Sequence, residues 1–89
     1  MDINIDHKLM ERVQVTIAEA LQIKVDQVTT NLSFGDLPEW DSMGHMEVMM
    51  LLEQYFGIEI NADTIAQLTS VPSICQYLAE TGGDQENHE

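Results

Sequence analysis

At 89 residues the chain is a single small domain of a size that buries only roughly 60% of the surface its unfolded form exposes, so its core must be simple. Asp and Glu total 16 against three Lys and Arg, a net charge of -13, which repels phosphate backbones and anionic membrane surfaces and argues against nucleic acid as a partner. One cysteine rules out an intramolecular disulfide, a Cys-based zinc site and a CxxC redox pair.

No apolar run approaches the roughly 20 residues that span a bilayer, so stable membrane insertion is not expected. The start, MDINIDHK, lacks the basic region and hydrophobic run of a signal peptide, and a cytoplasmic location is expected. The acidity is expected to keep the domain monomeric and to steer it toward basic patches on other proteins.

In chain order, Leu9, Val13, Ile17, Ala20 and Leu21 recur at spacings of three and four, which predicts an amphipathic helix over Asp6 to Leu21 with Asp6 as its N-cap. Gln22 to Trp40 reads as a long loop, interrupted by Gly35 and Pro38 and pinned to the core by Val28, Leu32, Phe34 and Leu37. A second helix is predicted from Ser42 to Phe56, started by Asp41 and stopped by Gly57. Asn61 or Asp63 caps a short helical turn carrying Ile65 and Leu68. A last helix is predicted from Pro72 to Glu80, with Val71, Ile74, Cys75 and Leu78 as its inward stripe. The expected fold is all-α: a four-helix bundle of three longer helices and one short helix with a long first loop. Residues 1–81 form its single domain, and 82–89, GGDQENHE, are expected to be a disordered tail.

The chemistry concentrates in LPEWDSMGHMEVMMLLEQYFG, residues 37 to 57. Ser42 falls on the first position of a helix, beside its free backbone N–H groups and positive dipole end, so a phosphate esterified there is electrostatically favoured. Taken alone, Asp41 and Ser42 also read as a plain helix cap. The helix has more apolar surface than one core stripe needs: Val48, Leu51, Leu52, Tyr55 and Phe56 are expected to face the core. Met43, Met46 and Met50 fall on another side, edged by Glu47 and Glu53, a flexible apolar strip suited to several basic partners.

This segment resembles the phosphopantetheine attachment region of acyl carrier proteins, whose hallmark is Asp-Ser-Leu at the start of the second of four helices; it reads Asp41-Ser42-Met43. VTTNLSF at 28 to 34, FGIEI at 56 to 60 and TSV at 69 to 71 resemble that family's flanking connections. Met43 departs from the usual Leu, a volume-conserving change, and LPEW stands where fatty-acid carriers commonly have Gly-Ala. The resemblance implies an acyl-carrier-like bundle that carries acyl or related intermediates as thioesters for fatty-acid, polyketide or related biosynthesis. It implies a phosphopantetheine arm, taken from coenzyme A by a separate phosphopantetheinyl transferase and attached to Ser42 beside Asp41. It also implies acyl-loading and acyl-processing enzymes that dock on Met43, Met46, Glu47, Met50 and Glu53.

Other residues receive plainer readings. His45, one turn beyond Ser42, is expected to face solvent; neither a GxSxG elbow nor a third triad member accompanies it. Trp40 is expected to pin the loop, and Cys75 to be a small core residue. No HExxH or calcium-loop pattern occurs, so no metal site is expected. An unmodified helical adaptor and a hydrolase using Ser42 are the rival readings, and only the hydrolase predicts turnover by the purified chain.

Overall fold

Leu9, Val13, Ile17, Ala20 and Leu21 wind together into α1, His7–Leu21, and all five are buried. The computed structural model describes residues 7–81, so the Asp6 cap and the tail 82–89 lie outside the described residues. α1 stops without a glycine. Gln22 takes a left-handed φ of 59°, its N–H bonds the Glu19 carbonyl, and the Ile23 N–H reaches back to Ala18 at 3.0 Å. That is the Schellman pattern, which satisfies carbonyls the helix end would otherwise leave open.

The long connection is more ordered than its sequence suggests. Val25–Gln27 forms a single 3-10 turn, too short to leave a periodic signature. Val28 and Leu32 are buried as expected, and Gln14 on α1 donates its side-chain N–H to the Val28 carbonyl at 2.6 Å. Leu37 is half-buried against the core. Phe34 departs from expectation, with 43% of its surface exposed. Its backbone is held by a pair of bonds: Phe34 N–H bonds Thr69 O and Val71 N–H bonds Leu32 O, each at 2.8 Å, in an isolated antiparallel bridge between Ser33 and Ser70.

α2 runs Ser42–Phe56, with the boundaries its sequence predicts. Asp41 caps it by accepting from the Gly44 N–H, and Gly57 ends it at φ 72° with its N–H on the Glu53 carbonyl. α3, Ala62–Gln67, starts with a capping box in which Asn61 and Thr64 bond each other's backbone N–H. α4, Val71–Thr81, extends one residue beyond the predicted helix at each end. Its start moves because Ser70 and Ser73 exchange the same pair of side-chain to backbone bonds, both at 3.1 Å, which makes Ser70 the cap.

α1 packs on both α2 and α4, and α3 lies against α2. The core draws on α1, α2, α4 and the residue that follows α3, with Val13, Ile17, Val48, Met49, Leu52, Leu68, Ile74, Cys75 and Leu78 fully enclosed. The buried face of α2 is His45, Val48, Met49, Leu52 and Phe56, turned slightly from the predicted stripe. Leu51 is half-buried and Tyr55 is 47% exposed, its phenol donating to the Glu19 carboxylate at 2.8 Å. The reason is the hydroxyl: at the edge of the face the ring can cover α1 while keeping its O–H on a charged acceptor. Among the described residues no helix is long and apolar enough to cross a membrane.

Because Gly57 alone supplies the left-handed residue after α2, Gly57→Ala is expected to cost about 1 kcal/mol. A thermal melt should show it as a drop of about 4–8 °C in Tm.

Candidate functional site

The N-terminus of α2 gathers every residue of the predicted motif. Ser42 is its first helical residue, and both it and Asp41 are exposed. Asp41 Oδ1 accepts from Gly44 N–H at 2.9 Å and its carbonyl from His45 N–H at 2.7 Å, so the residue before Ser42 is tied twice to the turn after it. The Ser42 hydroxyl is thereby presented on an ordered helix end and not on a mobile tip. Backbone N–H groups and dipole at this end favour an anionic substituent.

The segment leading in is equally constrained. Trp40 is fully buried, its N–H bonds Leu37 O and its carbonyl accepts from Gly35 N–H, both at 3.0 Å. Trp40 therefore pins the loop to the bundle as its sequence reading expects. Gly44 shows how closely that loop crosses α2. A Cβ placed there would overlap the Glu39 carbonyl oxygen and lie 2.9 Å from Leu21 Cδ2, so no larger residue fits beneath the loop.

His45 corrects its expected solvent position: it is 6% exposed. Trp40 Nε1–H donates to His45 Nδ1 at 3.0 Å, so Nδ1 is the unprotonated acceptor. The proton then sits on Nε2, which donates to the Ile65 carbonyl at 2.8 Å. Ile65 belongs to the last turn of α3, whose carbonyls run out of helical partners. The edge of Phe34 closes over the ring, with centroids 5.5 Å apart and planes at 72°. With both nitrogens bonded away from Ser42, His45 is not a base for its hydroxyl. A signal for this was available, since 45, 48, 49, 52 and 56 share one helical stripe; a histidine there obscured it.

Met43, Met46 and Met50 are 79%, 43% and 54% exposed, and Glu47 and Glu53 are exposed beside them. The strip starting next to Ser42 is thus a real apolar surface edged with carboxylates. Cys75 lies elsewhere, fully enclosed on α4 with its sulfur 3.9 Å from that of Met10. Burial pushes its thiol pKa up to about 11, so at neutral pH it stays protonated and a poor nucleophile. Among the described residues no His, Cys, Asp and Glu cluster is arranged to hold a metal ion.

Comparison with known proteins identifies similar chains. A family model described as "Phosphopantetheine attachment site" matches residues 11–78. Among curated proteins, the "Acyl carrier protein" of Zymomonas mobilis is 33% identical over 70 residues, covering 79% of this chain and 90% of that protein. The matched family segment includes Asp41, Ser42 and the whole of α2 and α3.

Gly44→Ala separates loop packing from helix propensity. Alanine is the better helix former by about 1 kcal/mol, yet overlap with a backbone carbonyl costs about 1–3 kcal/mol. A net loss of stability in a urea melt is the expected result, and a gain would show that the loop does not lie over Gly44.

Proposed function

The chain belongs to the family of phosphopantetheine-carrying acyl carrier proteins, and on that basis we propose that Ser42 is the residue to which the arm is attached. A member of this family is a carrier and not a catalyst, its cofactor is covalently bound phosphopantetheine, and its partners include a phosphopantetheinyl transferase and acyl-processing enzymes. The observation that carries the reading is the exposed Ser42 hydroxyl at the first position of α2, held there by the Asp41 cap.

The residues present fit such a group. Ser42 is open to solvent, its helix end favours a phosphodiester, and exposed Met43 and Met46 offer apolar contact beside it. When attached, the arm supplies a terminal thiol on which acyl or related carboxylic-acid cargo travels as a thioester. Ser42 contributes the nucleophilic oxygen for attachment. Asp41 contributes order: its Oδ1 accepts from Gly44 N–H and so fixes the helix start.

Met43, Met46, Glu47, Met50 and Glu53 form the docking strip in this reading. The carboxylates draw in basic patches and the methionines adapt to the differing apolar surfaces behind them. In this reading the chain works in the cytoplasm, in fatty-acid, polyketide or related biosynthesis.

Incubation with coenzyme A, magnesium and a broad-specificity phosphopantetheinyl transferase is expected to add one arm by intact mass to the wild type and none to Ser42→Ala. An unmodified wild-type chain under conditions that load another carrier would refute the attachment reading. For docking on the transferase, Glu47→Ala is expected to lower the association rate about two- to fivefold at low salt and to flatten its salt dependence. Met46→Ala should act on dissociation, raising that rate about fivefold. Unchanged binding kinetics in both variants would remove the strip from the account.

A further inference from the structure

Three groups from two elements, the long first loop and α3, converge on one imidazole. The loop preceding Ser42 reaches it through Trp40 Nε1–H, the end of α3 through the Ile65 carbonyl, and residue 34 of the first loop lays its ring edge against it. The Trp40 to His45 bond joins residues five apart in sequence and therefore spans Asp41 and Ser42. Together with the two bonds from Asp41 to the next turn, it closes a bracket of residues 40–45 around the serine. The other nitrogen faces away, toward α3.

We infer that His45 is a positioning residue with two separable tasks: its Nδ1 side fixes the bracket that presents Ser42, and its Nε2 side fixes the end of α3. The inference rests on the attachment reading above for its functional consequence, and on the hydrogen bonds alone for its structural half. Several observations carry it. The ring is buried and so is its bond to Trp40, which shields that bond from competing water, while the bond to Ile65 is part-buried. The tautomer is dictated, because an indole N–H can only donate and a carbonyl can only accept. Ring rotation about its bond to the chain cannot serve both partners in any other way.

Mutation can divide the tasks. The amide of Asn reaches about as far as Nδ1, so in His45→Asn its oxygen can accept from Trp40 while nothing reaches Ile65. The amide of Gln extends about to Nε2, so in His45→Gln it can donate to the Ile65 carbonyl while Trp40 N–H loses its acceptor. Trp40→Phe removes the same bond from the other end while retaining most of the buried ring.

The experiment measures solvent exchange of the Trp40 indole N–H by NMR on the wild type and the two His45 variants, and, on every variant, amide exchange at Leu68, whose N–H closes α3 on Thr64, and kcat and KM for modification of Ser42. His45→Asn should keep slow indole exchange and a modification rate within about twofold of wild type, with Leu68 exchanging about tenfold faster. His45→Gln should protect Leu68, speed indole exchange, and lower kcat about tenfold, since a small displacement of a nucleophile is costly. Trp40→Phe should match His45→Gln in kcat and leave Leu68 protected.

Variants whose modification rates fall together, in step with their melting temperatures, would reduce His45 to a general structural residue and overturn the inference. So would wild-type kcat in His45→Gln and Trp40→Phe. If the wild-type chain itself accepts no arm at Ser42, the attachment reading fails, and the two exchange measurements still decide whether one ring holds two elements separately.

Discussion

A hydrogen bond between two buried rings, from Trp40 to His45, is the constraint on which the rest of the site depends. Replacing a buried tryptophan by alanine costs about 3–5 kcal/mol, a large part of the about 5–15 kcal/mol that holds a small domain together. Burying its indole N–H unpaired would itself cost about 1–3 kcal/mol. The histidine removes that penalty, and its second nitrogen satisfies a helix-end carbonyl on α3. The loop can then lie so close over α2 that only glycine fits at position 44, and Ser42 emerges from a fixed helix start.

That arrangement explains how a chain of net charge -13 presents the Ser42 hydroxyl on an ordered helix end while the outer face of α2 stays exposed. Order is concentrated on the inner face, in His45, Val48, Met49, Leu52 and Phe56. The outer face carries flexible methionines and carboxylates, which suit a surface that meets more than one partner. The lone thiol sits apart on α4, protonated by burial, and does not compete with a cargo-bearing sulfur.

Much of this was legible in the sequence where the governing interactions are local. Asp41, Ser42 and Gly57 mark α2 to the residue because capping and left-handed termination depend on neighbours along the chain. The ends of α4 were less legible, since the reciprocal bonds of Ser70 and Ser73 displaced the start that Pro72 suggested. What escaped was non-local. The bridge that joins Leu32–Phe34 to Thr69–Val71 links segments some 37 residues apart, and neither segment has strand periodicity. Phe34 therefore sits at the bridge and not in the core, and Tyr55 leaves the core face for a separate reason, the bond from its hydroxyl to Glu19. His45 was read as solvent-facing because its type is polar, although its stripe is buried; only the opposing Trp40 and Ile65 reveal why a polar ring is tolerated there.

The central claim is that the arm is carried by Ser42 and by no other hydroxyl. Fragmentation mass spectrometry of the loaded chain, read peptide by peptide, tests it most directly. The account predicts the phosphopantetheine on the fragment containing Asp41-Ser42-Met43 alone, with Ser33, Ser70 and Ser73 unmodified. An arm found on any of those three serines, with Ser42 bare, would contradict it.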